Sequence, residues 1–176
     1  MSVAAVFVSR AREKIEVYRF SLPATLLLPL LALFLQAFVA VKFPLFESFD
    51  LPLLVTIFFA VARRSPVSGL LTGAVIGLLQ DALTHHPIGI YGIAKTVVGY
   101  AASSIGARID VENPGSRLLL VFAFYLVHWG AYFVVARGLV GQQLAPLWGH
   151  NLLLAIANGL LALVLFAVLD RFKQRA

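Results

Sequence analysis

The chain contains no cysteine, only one methionine, and few charged residues, which make up 12% of its 176 residues. Without cysteine, the protein has no disulfide, no thiolate metal site and no cysteine nucleophile. The low charge excludes an ordinary soluble domain, in which about a quarter of the residues are charged. Hydrophobic residues instead make up 61% of the chain, and the mean hydropathy is +0.93. This composition predicts an integral membrane protein.

Short catalytic motifs are also absent from the sequence. It contains no phosphate-binding G-x-x-x-x-G-K-[ST], no zinc-binding H-E-x-x-H and no G-x-S-x-G nucleophile motif. We therefore expect a protein that is not an enzyme and that has no cofactor and no metal site. The net charge of +6 does not indicate nucleic acid binding, because the basic residues flank apolar segments and form no patch. Orientation in a lipid bilayer explains their positions better.

The hydropathy pattern predicts six transmembrane helices. Their approximate bounds are Pro23 to Val41, Leu51 to Ala62, Val67 to Leu83, Ile88 to Ala107, Leu118 to Ala136, and Asn151 to Leu169. The second segment is short, because a span normally needs about 20 residues. Six spans nevertheless place most Lys and Arg residues on the cytoplasmic side, whereas five spans would place more of them outside. The positive-inside rule therefore favours six.

This topology divides the chain into three parts and places both termini in the cytoplasm. Residues 1–22 alternate apolar and charged residues at helical spacing, which predicts an amphipathic segment on the cytoplasmic membrane surface. Residues 23–170 form the transmembrane domain, and residues 171–176 form a basic cytoplasmic tail. No linker is long enough to separate two domains.

Two glycine rows dominate the third and fourth segments. Because their spacing puts each row on one helical face, we expect the two helices to pack closely as an antiparallel hairpin. Asp81 ends the first row and Lys95 lies within the second, so the hairpin would pair them inside the membrane. The alternatives are a hydrated Asp81, a Lys95 that snorkels to the surface, and a homodimer formed through the glycines. The glycines concerned are Gly69, Gly73, Gly77, Gly92, Gly99 and Gly106.

Other polar side chains also fall within the predicted spans, where each normally has a partner or lines a cavity. Together with Asp81 and Lys95 they form a candidate outward-facing pocket. The alternative is that each merely forms a hydrogen bond between helices. The adjacent His85 and His86 have no third ligand nearby in sequence, so a structural loop is favoured over a metal site. The additional pocket candidates are Tyr91, His128, Tyr132, Asn151 and Asn158, with Tyr125 at the same helical spacing.

The hairpin sequence resembles a known family. Residues 69–81 read GLLTGAVIGLLQD, and residues 87–100 read PIGIYGIAKTVVGY. This combination of a glycine-rich span ending in Leu-x-x-Asp, a short turn, and a helix with Lys-Thr-x-x-Gly-Tyr is similar to the rod-shape-determining membrane protein family MreD. The diagnostic match covers about 35 residues, and the other spans agree in hydropathy.

The resemblance implies a non-catalytic scaffold of the bacterial cell-elongation machinery in the inner membrane. Such a scaffold binds the single-span protein MreC, acts through it on MreB filaments and peptidoglycan synthases, and so helps to control rod cell shape. The family also resembles in fold the S-components of energy-coupling-factor transporters, whose pocket opens outward. The alternative function is therefore an S-component-like subunit with a small ligand or a lipid in the pocket.

Overall fold

Six helices account for most of residues 18–106 and 113–175, which the computed structural model describes. The prediction of an all-α protein with six helices is confirmed. Two strands of two residues each, β1 (Tyr18–Arg19) and β2 (Gln174–Arg175), pair antiparallel beside the helices. The helices are α1 (Leu22–Lys42), α2 (Leu51–Arg63), α3 (Pro66–Leu83), α4 (Ile90–Gly106), α5 (Pro114–Gly138) and α6 (Trp148–Leu169).

Two of the sequence predictions fall partly outside the described residues. The predicted amphipathic segment is described only from Tyr18 onward, and the loop between α4 and α5 only from Asn113 onward. The β1–β2 pair brings residues 18–19 beside residues 174–175, so both ends of the described chain lie at the same end of the bundle. A chain that crosses the membrane an even number of times has both ends on the same side, as here.

Four helical segments are long and apolar enough to cross a membrane by length and composition: Leu22–Lys42, Pro66–Leu83, Pro114–Gly138 and Trp148–Phe172. The last includes the short 3-10 turn Asp170–Phe172 that follows α6. These segments show that the chain is a membrane protein. The helix α2 is apolar but shorter, and α4 has 17 residues.

The short helix α2 forms the centre of the bundle. Every residue from Pro52 to Ala62 is buried, mainly against α1, α3 and α4. Its core neighbours include Val98 on α4 and Phe166 on α6. Because it is hydrophobic all round, it can be buried on every side without leaving a polar side chain unsatisfied. Its 13 residues span only about 20 Å.

Both ends of α2 have clear local causes. At the start, the Asp50 carboxylate accepts a hydrogen bond from the Leu53 N–H at 2.9 Å, and Pro52 fits the first turn. At the other end, Arg64 adopts a left-handed conformation with φ 53°, which terminates the helix. The hydrocarbon core is about 30 Å thick. The helix α2 by itself is therefore about 10 Å too short to cross it.

The two glycine rows bring α3 and α4 into close contact. A Cβ atom at Gly73 would collide with the carbonyl group of Lys95, and one at Gly69 would collide with the carbonyl oxygen of Gly99. Gly106 lies instead against Val61 of α2. Because these surfaces are covered within the chain, they leave no room for a second copy to dock through the same glycines.

Candidate functional site

A buried ion pair lies at the start of α2. The Lys95 ammonium group on α4 donates a hydrogen bond to the Asp50 carboxylate, with 2.6 Å between Nζ and Oδ2. The Lys95 side chain is completely buried. An unpaired charge in such a position would be very costly, so each group stabilises the other in its charged form.

Two aromatic side chains enclose this ion pair. The Nε2 atom of His128 on α5 lies 3.3 Å from the Lys95 Nζ. An ammonium group can only donate, so His128 accepts this bond as a neutral imidazole with its proton on Nδ1. The Tyr91 ring stacks on the His128 ring at 5.8 Å between centroids, and the Lys95 Nζ lies 4.8 Å from the Tyr91 centroid. The cation therefore also gains a cation–π contact.

The non-helical backbone before α2 is satisfied by amide side chains of other helices. The Asn158 Oδ1 on α6 accepts from the Asp50 N–H at 2.9 Å, and its Nδ2 donates to the Ser48 carbonyl at 3.0 Å. The Gln36 Oε1 on α1 accepts from the Leu51 N–H at 3.1 Å. Irregular backbone in a membrane protein needs such internal partners wherever lipid surrounds it, because lipid offers none.

The prediction that Asp81 and Lys95 form an ion pair is wrong. The Asp81 carboxylate accepts three backbone hydrogen bonds instead, from the N–H groups of Gly89, Tyr91 and Gly92 at 2.8, 3.0 and 3.1 Å. These N–H groups belong to the first turn of α4 and the residue before it, where a carboxylate is favoured by both hydrogen bonding and the helix dipole. Asp81 therefore caps the neighbouring helix, and Lys95 is bonded to Asp50.

A polar cavity of ≈ 300 Å³ lies next to the ion pair, within the size range of small-molecule sites. Five of the sequence-predicted residues line it: Tyr91, Tyr125, His128, Tyr132 and Asn151. The predicted residues Lys95, Asn158 and Asp81 are not among its lining residues. The other lining residues are Gln36, Ser48, Phe49, Asp50, Gln80, Trp129, His150 and Leu154.

The cavity contains one buried hydrogen-bonding atom without a partner. Gln80 is only 4% exposed, and its Oε1 atom receives no hydrogen bond from the described residues. An unpaired amide oxygen costs free energy unless a water or a ligand donates to it. Among residues 18–106 and 113–175, no three His, Asp or Glu side chains come together to hold a metal ion.

Sequence reasoning missed Asp50 and Gln80. Asp50 directly precedes the predicted second span, and Asp followed by Leu-Pro and an apolar run is a typical helix N-terminus. That signal was sufficient to predict the cap, but it does not indicate that Lys95 is the partner. Nothing in the local pattern marks Gln80, because one amide in an apolar helix has no characteristic spacing.

Comparison with known proteins agrees with this architecture. The family description "rod shape-determining protein MreD" matches residues 16–175, which is most of the chain. No curated protein and no solved structure matches, so the resemblance to S-components stays a prediction. The matched residues include all six helices, the Asp50–Lys95 ion pair and every residue that lines the polar cavity. The chain therefore belongs to the MreD family of rod shape-determining membrane proteins.

Proposed function

We propose that the protein is a non-catalytic scaffold of the cell-elongation machinery that binds MreC and acts through it on MreB and peptidoglycan synthases. Membership of the MreD family supports a role in rod shape determination, and that family is not a known enzyme family. The basic residues Arg63, Arg117 and Lys173 gather at the end of the bundle that carries both chain ends. By the positive-inside rule, this end faces the cytoplasm of an inner-membrane protein.

The observation that carries the scaffold proposal is an exposed stripe on α1, made of Leu27, Leu31, Phe34 and Phe38. Each of these side chains is more than half exposed. Their spacing of four, three and four residues is the pattern with which one helix packs against another. By contrast, α2 is buried throughout and offers no such face. We therefore assign the docking of the MreC transmembrane helix to α1.

Site-specific photo-crosslinking in native membranes tests this assignment. A photo-reactive amino acid replaces Leu31 in the stripe, and in the matched control it replaces Leu153, a leucine on α6 that is also more than half exposed. We expect MreC to be captured from position 31 and not from position 153. Capture from position 153 alone, or from neither position in cells that contain MreC, would contradict the assignment.

The polar cavity favours a second candidate function, the binding of a small molecule as in S-component-like transporter subunits. The supporting observation is the unpartnered Oε1 atom of Gln80 beside a wall of aromatic rings. A bound compound would be extracted from protein purified from native membranes and would be absent from a Gln80→Leu variant. Co-purification of paired ATPases and a coupling subunit instead of MreC would make transport the better assignment.

A further inference from the structure

A groove with apolar walls runs between α1 and α3 on the outside of the bundle. Its volume is ≈ 290 Å³, and Phe59 of the central helix α2 forms part of its floor. Both helices turn leucines outward beside it, so the groove faces the lipid. Its other lining residues are Thr25, Leu26, Pro29, Leu30, Leu33, Arg63, Leu71, Thr72, Val75, Ile76 and Leu79.

A single charged group, the guanidinium of Arg63, lines this groove. It donates hydrogen bonds to the hydroxyl of Thr25 at 2.8 Å and to that of Ser68 at 3.3 Å. It also lies over the ring of Phe59, 5.0 Å from the centroid. No Asp or Glu among the described residues forms an ion pair with it.

These contacts leave Arg63 with unused capacity. A guanidinium has five N–H donors in a planar fork that matches a phosphate, and the two hydroxyls occupy only part of it. The hydroxyls carry no charge, so they do not neutralise it. A cation among apolar walls is stabilised most by a charge of opposite sign.

We propose that this groove binds an anionic phospholipid, with one acyl chain along the leucines and the phosphate on Arg63. The lining supports this occupant. Its walls are mainly apolar side chains that match the methylene groups of an acyl chain, and its one charged group, the Arg63 guanidinium, matches a phosphate.

The position of Arg63 fits a lipid of the cytoplasmic leaflet. It is the last residue of α2, and the Phe20 ring beside its guanidinium follows directly on β1. The same end of the bundle carries Arg117 and Lys173. Basic pockets between transmembrane helices on the cytoplasmic side are a known way to hold anionic headgroups. The site shares no lining residue with the polar cavity. It contains none of the four residues of the exposed stripe of α1, which it adjoins at Leu30 and Leu33.

Lipid titration followed by native mass spectrometry tests the proposal on the full-length protein in detergent, after removal of co-purified lipid. The probes are dioleoyl phosphatidylglycerol and dioleoyl phosphatidylcholine, which have the same chains and differ in net charge. A third arm with inorganic phosphate separates a headgroup site from a free-phosphate site. We expect the phosphatidylglycerol to bind about tenfold more tightly than the phosphatidylcholine, a difference of about 1.4 kcal/mol, and phosphate alone not to bind.

Three variants separate the role of the charge from that of the groove. Arg63→Gln should remove the preference for phosphatidylglycerol, whereas Arg63→Lys should keep part of it. The matched control is Arg137→Gln, which removes an arginine that also lies over a phenylalanine ring, at 5.7 Å from the Phe133 centroid. This control should bind as the wild type does. Val75→Phe, which fills the groove, should weaken the binding of both lipids and keep the preference for phosphatidylglycerol.

Two results with the lipids, and one with inorganic phosphate, would overturn the proposal. One is equal binding of the two lipids to the wild type, and the other is the same loss of preference in Arg137→Gln as in Arg63→Gln. Should Arg63→Gln fail to fold, Arg63→Lys and Val75→Phe decide the question, because neither removes a positive charge. Binding of inorganic phosphate with the affinity of the lipid would assign the site to a free anion instead.

Discussion

The carboxylates of Asp50 and Asp81 have similar surroundings but different partners. Asp81 is fully buried and the Asp50 side chain is 13% exposed. Each carboxylate lies against the N-terminus of a helix and accepts hydrogen bonds from backbone N–H groups there. Asp81 accepts all three of its hydrogen bonds from the backbone. Asp50 accepts one from the backbone and one from the Lys95 ammonium on another helix. The charge of Asp50 is therefore compensated by a full cation, and that of Asp81 by amide dipoles.

This difference shows that helix packing, rather than distance along the chain, decides which charges pair. Asp81 and Lys95 are 14 residues apart on packed helices, whereas Asp50 and Lys95 are 45 residues apart. The backbone N–H groups at the start of α4 lie next to Asp81 and donate all the hydrogen bonds that its carboxylate accepts. The Asp50 carboxylate has fewer backbone donors, so it depends on Lys95.

The largest effect is expected from breaking the Asp50–Lys95 pair. Lys95→Met leaves a buried carboxylate without its cation and should lower the free energy of unfolding by about 3–5 kcal/mol. The double variant Asp50→Asn/Lys95→Met should lose less than the sum of the two single variants, since it contains no unpaired charge. Thermal and denaturant unfolding in detergent, followed by circular dichroism, measures all three.

The same double-mutant cycle with Asp81 is the control. The losses of unfolding free energy from Asp81→Asn and Lys95→Met should be nearly additive in the double variant, because residues that are not bonded to each other couple weakly. The coupling energy should therefore be smaller than in the Asp50 cycle. A stronger coupling for Asp81 than for Asp50 would restore the pairing expected from the sequence and contradict the structure.

A smaller effect is expected from the glycine contact that holds α3 against α4. Gly73→Ala places a methyl group against the Lys95 carbonyl, so the helices must separate, at a cost of about 1–3 kcal/mol. Gly130→Ala on α5 is the matched control, since a Cβ there meets nothing within 4 Å. We expect this control to leave stability unchanged or to raise it by up to about 1 kcal/mol. Equal losses in the two variants would show that α3 and α4 do not pack through Gly73.

The smallest effect is expected for Asp81→Asn. The amide oxygen can still accept from the Gly89 and Gly92 N–H groups, but the NH2 group that replaces the other oxygen cannot accept from the Tyr91 N–H. The variant therefore loses the charge and one hydrogen bond of the cap, and the cost should be about 0.5–2 kcal/mol. The measurement is the same unfolding experiment, with Asp50→Asn beside it. An Asp81→Asn variant as unstable as Asp50→Asn would mean that Asp81 has an ionic partner after all.

Much of the fold could be predicted from the sequence because apolar runs and glycine spacing are local patterns. Six helices, their approximate bounds and the close approach of α3 and α4 all depend on residues that are near each other in the chain. The site was predicted less completely. Tyr91, His128, Tyr132 and Asn151 stand out as polar residues in apolar helices, and they line one cavity. Asp50 does not stand out, because it lies just outside an apolar run.

The sequence by itself determined that the chain is a helical membrane protein. Most of its surface must be apolar, and such a surface is stable in lipid rather than in water. The sequence also contains the start signals of α2 at Asp50 and of α5 at Asn113, where a capping side chain precedes a proline in the first turn. Only the tertiary structure decided that the short helix α2 lies at the centre of the bundle, with Asp50 beside the polar cavity. Helix hydrogen bonds alone do not satisfy the Asp50 carboxylate and the backbone N–H groups at the start of α2, so Lys95, Asn158 and Gln36 of three other helices supply the missing partners.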